Sequence, residues 1–143
     1  MRNVLMIIAG LGMTSCVVVS DGPSSTSSSS SFSNYSPWVE WAEAGCYWDS
    51  FYYDDIWYFE ADVSDPDGPL DVVAVYADVY DVYYGTFVDS FELFPTSNPY
   101  VWQSEWLGHT TYLDCFYSGY EVDIVAYDYY DAYDVLTVWP YTY

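Results

Sequence analysis

The sequence almost lacks positive charge. It has 22 Asp and Glu residues against a single Lys or Arg, which is Arg2 close to the N-terminus. Nucleic acid is disfavoured as a partner, because its binding depends on Lys and Arg that neutralise phosphates. Phosphoryl transfer is disfavoured for the same reason. We also expect the carboxylates to repel one another, so that salt, and calcium still more, should stabilise the folded chain.

Long hydrophobic runs are also missing. The apolar run at 4–13 spans ten residues, whereas a helix that crosses a bilayer needs about 20. The run follows the short basic segment 1–3 and has the length of the hydrophobic region of a secretory signal. The small residues Thr14 and Ser15 then precede Cys16. The N-terminus is therefore predicted to be an export signal.

The segment Met13-Thr14-Ser15-Cys16 resembles a lipobox, the motif at which bacterial lipoproteins are cleaved before a diacylglyceryl-modified cysteine. The resemblance implies that Cys16 is lipidated, that the membrane is a partner through this lipid anchor, and that the protein lies in the cell envelope. Val17 stands where an Asp would signal inner-membrane retention in the enterobacterial pattern, which favours the outer membrane. The alternative is an ordinary signal peptide with a chance cysteine after it.

Serine dominates the segment that follows Cys16. A tract of small polar residues continues through Ser31, and this composition is typical of a flexible, disordered linker. The predicted organisation is a signal peptide at 1–15, a lipidated cysteine with a Ser-rich linker at 16–36, and one folded domain at 37–143. The chain is 52% hydrophobic and 23% aromatic, which is enough to form a core.

Only three cysteines are present. If Cys16 carries lipid, Cys46 and Cys115 remain as a pair in an oxidising compartment, and we predict that they form a disulfide. On the chain-entropy model, closing a loop of about 70 residues stabilises the fold by roughly 4 kcal/mol. Two buried free thiols are the alternative. Metal binding by these cysteines and His109 is disfavoured, because paired-ligand spacing is absent.

Short alternating segments from Trp38 onward predict an all-β fold. Residues 56–63 place Trp57 and Phe59 on one apolar face, as in a half-buried strand. About seven strands with one apolar face each favour an antiparallel β-sandwich. Val73 is expected to face inward, and 101–107 is expected to pair with 110–116. The predicted strands lie at 38–48, 56–63, 70–80, 86–94, 101–107, 110–116, 121–128 and 135–139.

Two stretches resemble immunoglobulin-like domains of bacterial surface proteins. Residues 59–68 (FEADVSDPDG) are similar to strand B with its turn, and residues 122–128 (VDIVAYD) are similar to strand F. The resemblance implies an antiparallel immunoglobulin-like β-sandwich of about 100 residues. Cys46 and Cys115 precede these two strands, so their bridge would differ from the usual inter-sheet disulfide.

The DPDG turn at 65–68 carries clustered carboxylates, which are the ligands that Ca²⁺ prefers. An EF-hand is excluded, because Gly68 is at position 4 counted from Asp65 instead of 6, and position 12 is Tyr76 instead of Glu. A loop site formed by Asp65, Asp67 and Asp71 remains, and no other cofactor is expected. The alternative is a turn in which Asp and Gly are present for backbone reasons.

Other polar and aromatic positions are weaker candidates. Asp128, Asp131 and Asp134 form a second acidic series, for which a solvated turn is the simpler interpretation. His109, the only histidine, has no spacing typical of a catalytic triad. Outward-facing tyrosines either stack on sugars or form cross-strand pairs that cover the sheet; they are Tyr58, Tyr76, Tyr80 and Tyr127.

These features favour a membrane-anchored, non-catalytic cell-envelope lipoprotein with a structural or interaction role and a protein or glycan ligand. The alternative is a carbohydrate-binding module that uses exposed Tyr and Trp together with Asp. A small secreted hydrolase is a third class, because paired carboxylates are available. With 22 acidic residues in the chain, their presence does not discriminate.

Overall fold

The computed structural model describes residues 33–142. It confirms the prediction of an all-β domain. Cys16, the predicted signal peptide at 1–15 and the predicted linker up to residue 32 lie outside the described residues. The strands are β1 (Trp38–Asp49), β2 (Asp54–Ser64), β3 (Val72–Asp81), β4 (Thr86–Pro95), β5 (Val101–Leu107), β6 (Tyr120–Asp128), β7 (Tyr133–Val138) and β8 (Tyr141–Thr142), with a 3-10 helix at Gly108–Thr110.

The eight strands belong to one curled, mixed sheet. Their order is β7-β6-β3-β4-β5-β2-β1-β8, and every pairing is antiparallel except the parallel contact of β8 with β1. β1 also lies alongside β6 and β7, which are distant from it in the strand order. Val39 N–H, near the start of β1, donates a hydrogen bond to Asp134 Oδ2 of β7 at 3.0 Å. The curl therefore encloses a single core.

The core consists of the inward-facing residues of strands from both ends of the strand order. Trp57 and Phe59 of β2 are buried, as the alternation at 56–63 predicts. Phe59 stacks on Phe91 of β4, with ring centroids 5.0 Å apart. Val122 and Ile124 of β6 are fully buried in the same cluster. Each such side chain contributes roughly 1.5–3 kcal/mol through burial, so these contacts hold the curled sheet closed.

One predicted strand face is wrong. Val73 was expected to face inward, but it is 50% exposed, whereas Val72 and Val75 are buried. The β3–β6 pairing shifts register between Val72 and Ala74. Such a bulge inserts one extra residue into the strand and reverses the alternation on either side of it. Alternation alone therefore assigned the wrong valine to the core.

One predicted strand is absent. Within the described chain, residues 110–116 pair with no strand, and the 3-10 helix takes the place of a hairpin turn. Leu113 and Cys115 are nevertheless buried, while Tyr112 and Phe116 are exposed. This alternation imitates a strand because the segment crosses the end of the core, with alternate side chains covering it.

The predicted disulfide is confirmed. Cys46 of β1 and Cys115 are joined, with an S–S distance of 2.05 Å and a sequence separation of 69. The bridge fixes the 111–119 segment to the end of β1. It therefore holds the covering loop over the core that the loop closes.

The sheet has two ends that differ in content. Because neighbouring strands are antiparallel, the connections 65–71, 96–100 and 129–132 lie at one end, together with residues 33–37, which precede β1. The connections 50–53, 82–85 and 108–119 lie at the opposite end. We call these the Asp65 end and the His109 end.

Candidate functional sites at the two ends of the sheet

The turn after β2 brings three aspartates together at the Asp65 end. Gly68 N–H donates to the Asp65 carbonyl, and Asp71 N–H donates to the Gly68 carbonyl, both at 3.0 Å. Gly68 has a φ of +119°, which only glycine adopts without strain. One carboxylate oxygen from each of Asp65, Asp67 and Asp71 lies within 4.8 Å of the oxygens of the other two. The three residues named from the sequence are thus adjacent in space.

Asp65 is buried without full hydrogen bonding. Its side chain is 7% exposed, and its Oδ1 accepts a hydrogen bond from Asp67 N–H at 2.7 Å. Among residues 33–142, Asp65 Oδ2 and Asp71 Oδ2 are buried and have no hydrogen-bond partner. Burial, reinforced by the charges of Asp71, Asp67 and Asp128, raises the pKa of Asp65 above its ordinary value. The loop therefore concentrates negative charge that the described residues do not neutralise.

The acidic loop also contacts the residues that lead into β1. Asp67 Oδ2 accepts a hydrogen bond from Tyr35 N–H at 2.8 Å. An open pocket of about 380 Å³ lies beside the loop, between these leading residues, the exposed Asp67 and the half-buried Asp71. The space leaves room for an ion and its waters. The lining residues are Ser33, Asn34, Asp67, Asp71 and Tyr130.

Asp128 lies at the same end but has a different environment. It is 1% exposed and accepts hydrogen bonds from Asn34 Nδ2 at 2.6 Å and from the N–H groups of Tyr130 and Ala132 at 2.8 Å. Burial alone would raise the pKa of Asp128, but these hydrogen bonds outweigh it and lower the pKa below its ordinary value. Both carboxylate oxygens of Asp128 therefore have hydrogen-bond donors, and the residue serves to stabilise its turn.

The rest of the second acidic series does not join Asp128 in a site. Asp131 is exposed and adopts a φ of +63° in the turn. Asp134 Oδ2 accepts the hydrogen bond from Val39 N–H. In the described part of the chain, the three side chains form no cluster that could hold a metal ion. The interpretation of 128–134 as a turn fits this geometry.

His109 pairs with Asp54 at the opposite end. Its Nδ1 contacts Asp54 Oδ2, and its backbone N–H donates to the same oxygen at 3.3 Å. The hydrogen bond from the imidazole lowers the pKa of Asp54 and outweighs the effect of partial burial. Among residues 33–142, no hydroxyl or thiol side chain hydrogen-bonds to His109. The pair therefore joins the 108–110 helix to the start of β2 and lacks a nucleophile.

Two hairpin turns at the His109 end share one design. Asp49 Oδ1 accepts hydrogen bonds from Phe51 N–H at 2.7 Å and Tyr52 N–H at 3.0 Å. Asp81 Oδ1 likewise accepts from the N–H groups of Tyr83 at 2.8 Å and Tyr84 at 3.1 Å. In each turn the carboxylate fixes the backbone, as in an Asx turn. Two neighbouring aromatic rings therefore project into solvent from an ordered turn.

The exposed rings pack against each other within each turn. The Phe51 and Tyr52 centroids are 5.1 Å apart with the rings at 90°, and those of Tyr83 and Tyr84 are 5.0 Å apart with the rings at 81°. Phe51 and Tyr83 are each 81% exposed. Edge-to-face pairs of this kind hold both rings in place while leaving most of their surface to solvent.

The loop between β5 and β6 adds further exposed aromatic rings at the His109 end. Tyr112 is 84% exposed and Phe116 is 89% exposed. Tyr117 OH donates to the Asp81 carboxylate at 3.0 Å, which ties the loop to the β3–β4 turn. We call the following exposed residues of the His109 end the aromatic group: Phe51, Tyr52, Tyr83, Tyr84, Tyr112 and Phe116.

The outward tyrosines of the strands are half-buried by one another. Tyr76 and Tyr127 form an edge-to-face pair 6.3 Å apart, and Tyr80 packs on Phe87 at 5.7 Å. Tyr58 OH donates to Glu43 at 2.7 Å and contacts the hydroxyl of Tyr141. These contacts match the cross-strand covering role more closely than a free stacking platform for sugars.

Comparison with known proteins finds no matching family model, no similar curated protein and no similar solved structure.

Sequence reasoning named the acidic loop but missed the His109 end. The repeated pattern Asp-x-aromatic-Tyr at 49–52 and 81–84 was a detectable signal. The Asp54–His109 pair had no such signal, because it depends on the β2–β5 register, in which Ile56 lies opposite Leu107.

Proposed function

We propose that the protein is a membrane-anchored, non-catalytic cell-envelope lipoprotein, and that its β-domain has an interaction role. The observation that carries the interaction role is the aromatic group, a set of exposed rings on ordered turns at one end of the domain. Large exposed apolar surfaces on ordered elements are typical of binding sites. Strand β1 begins at the opposite end of the sheet, so the aromatic group lies away from the first described residues of the domain.

The Cys46–Cys115 disulfide supports a location outside the cytoplasm. Disulfides persist in oxidising compartments and are rare among cytosolic proteins. Together with the lipobox-like segment at 13–16, the disulfide supports export followed by lipidation of Cys16, with the outer membrane as the proposed location. The finer fold assignment, an immunoglobulin-like β-sandwich, is supported by the curl that brings β1 beside β6 and β7.

The charge of the domain supports a partner of a particular chemistry. Residues 33–142 contain no Lys or Arg, and Asp49, Asp54 and Asp81 lie in or beside the turns that present the aromatic rings. Lys and Arg side chains bind the faces of Tyr and Phe rings and are attracted by carboxylates. We therefore propose a protein partner with a lysine- or arginine-rich surface, in preference to a glycan.

We propose a non-catalytic function because of the way the potentially catalytic pair His109 and Asp54 is arranged. His109 is exposed, and its pairing with Asp54 links the 108–110 helix to the start of β2. A hydrolase would place a nucleophile or a second acid within reach of such a pair. The His109 pair is better explained as a contact that orders the surface beside the aromatic group.

Binding to a lysine-rich peptide and to a glycan array tests the interaction role. The double variant Tyr83→Ala/Tyr84→Ala should weaken peptide binding at least tenfold. The matched control is Tyr129→Ala/Tyr130→Ala, because that turn carries the same edge-to-face pair, 5.7 Å apart, at the Asp65 end. Equal loss in both variants, or saturable glycan binding by the wild type in place of peptide binding, would overturn the proposed partner.

The intact mass of the native protein tests the anchor. A mature chain that begins at Cys16 and carries acyl groups is expected, and Cys16→Ala should abolish both lipidation and membrane association. A native protein that keeps Met1 and carries no lipid would contradict the anchor while leaving the binding test above unaffected.

A further inference from the structure

The acidic loop at the Asp65 end holds two buried carboxylate oxygens that the described residues leave unpaired. Asp65 is more than nine-tenths buried, and its Oδ2, like Asp71 Oδ2, has no hydrogen-bond partner among residues 33–142. A buried carboxylate without a donor or a counter-charge is costly. The turn supplies one donor, Asp67 N–H, which reaches only Asp65 Oδ1, and residues 33–142 contain no Lys or Arg that could supply a counter-charge.

We propose that Asp65, Asp67 and Asp71 bind one Ca²⁺ ion. Calcium takes six to eight oxygen ligands at about 2.3–2.6 Å, so two of its ligands can lie as much as about 5 Å apart. One carboxylate oxygen from each of the three aspartates lies within 4.8 Å of the other two, and these oxygens therefore suit a shared ion. The donor set contains oxygen only, which disfavours zinc and other metals that prefer nitrogen or sulfur.

The surroundings of the three aspartates fit the remaining needs of the ion. Three carboxylates supply three to six ligand oxygens, and the open pocket beside Asp67 and Asp71 admits water for the others. Asp128 keeps both oxygens in hydrogen bonds to its own turn and to Asn34, so it stays outside the ligand set. Its negative charge still favours a cation in the loop.

Calcium at this site would also order the start of the domain. Asp67 Oδ2 holds Tyr35 N–H, and Ser33 and Asn34 line the pocket. Fixing Asp67 on the ion therefore fixes the residues that join the Ser-rich linker to β1. The site does not depend on the lipid anchor or on the aromatic group, so it can stand if the proposed function fails.

Calcium-dependent thermal unfolding of the full chain tests the site at constant ionic strength. In chelator-treated buffer, added CaCl₂ should raise the unfolding temperature, with half of the effect at roughly 0.1–1 mM, as in extracellular calcium modules. Asp65→Asn and Asp71→Asn should each shift this midpoint at least tenfold. Asp78→Asn is the matched control, because it removes the same charge from β3, where Asp78 accepts only from Ser90.

Direct binding keeps the proposal testable if a variant fails to fold. Equilibrium dialysis of the wild-type chain against radioactive calcium should give one saturable site that excess MgCl₂ at the same ionic strength does not displace. The proposal is overturned by the absence of a saturable site, by equal stabilisation from magnesium, or by a midpoint that moves equally in Asp78→Asn and Asp65→Asn.

Discussion

Asp65 and Asp128 lie at the same end of the sheet, and both are buried, at 7% and 1% exposure. Asp128 accepts hydrogen bonds from a side-chain amide and from two backbone N–H groups of its own turn. Asp65 accepts one hydrogen bond, and its second oxygen has no partner among the described residues. Accordingly, the pKa of Asp128 lies below its ordinary value and the pKa of Asp65 lies above it.

The difference teaches that burial alone does not determine what a carboxylate does. Where the turn supplies enough donors, as at Asp128, the charged form is stabilised and the residue serves the fold. Where donors are missing, as at Asp65, the charged form is disfavoured, and the described residues include no Lys or Arg to neutralise it. The Asp128 turn supplies enough donors for its carboxylate, whereas the Asp65 turn leaves one carboxylate oxygen without a partner among the described residues, which is why we propose an ion there.

The largest expected change in stability follows from removing the fully hydrogen-bonded carboxylate of Asp128. Asp128→Ala leaves two backbone donors of the turn and the Asn34 amide without their acceptor, so it should lower the free energy of unfolding by about 3 kcal/mol. Chemical denaturation in the presence of chelator measures this change. Glu92→Ala is the control, because Glu92 is exposed on β4, and it should change stability by less than about 0.5 kcal/mol. If Asp128→Ala changed the free energy of unfolding as little as Glu92→Ala, Asp128 would not stabilise its turn, and the contrast with Asp65 would be lost.

The next largest effect is that Asp128→Asn and Asp65→Asn should change the free energy of unfolding in opposite directions. Without calcium, Asp128→Asn should destabilise by about 1 kcal/mol, because charge-assisted hydrogen bonds become neutral ones. Asp65→Asn should instead stabilise by about 1 kcal/mol, because it removes an uncompensated buried charge and keeps an acceptor for Asp67 N–H. The same denaturation experiment compares both variants with the wild type. Destabilisation of equal size in both would show that the two turns are alike.

The smallest effect is a pH dependence specific to Asp128. Its folded-state pKa is depressed below the ordinary 3.8, so its contribution to stability is complete above that pH and is lost as the pH falls through the folded pKa. The stability difference between wild type and Asp128→Asn should therefore be constant from pH 7 to about 5 and shrink below about 4. Urea titrations at each pH measure the difference, and a gap that widens on acidification would contradict the prediction.

Local patterns were predictable from the sequence wherever one short segment determines the structure. The alternation at 56–63 identified Trp57 and Phe59 as core residues, and the DPDG turn grouped Asp65, Asp67 and Asp71 because a tight turn keeps sequence neighbours close. The alternation at 110–116 had another cause, since that loop covers the core under the constraint of a disulfide. An alternating pattern of apolar and polar residues therefore indicates that a segment packs on the core. It does not by itself show that the segment pairs with another strand.

Features that depend on register or on distant partners were not predictable. The bulge that exposes Val73 and the Asp54–His109 pair follow from how strands align, and alignment is set by the whole sheet. The same holds for the contrast between the two buried aspartates. Asp65 and Asp128 are each followed by a turn-forming sequence, and only the structure shows which of the two has its donors.

Carboxyl ¹³C NMR of the labelled full chain, titrated with CaCl₂, compares Asp65 and Asp128 most directly. The side-chain carboxyl signals of Asp65, Asp67 and Asp71 should move together and saturate with one ion per chain, while the Asp128 signal stays in place. If the Asp128 signal moved with them, or if all aspartate signals drifted equally without saturation, the two turns would not differ in the way proposed.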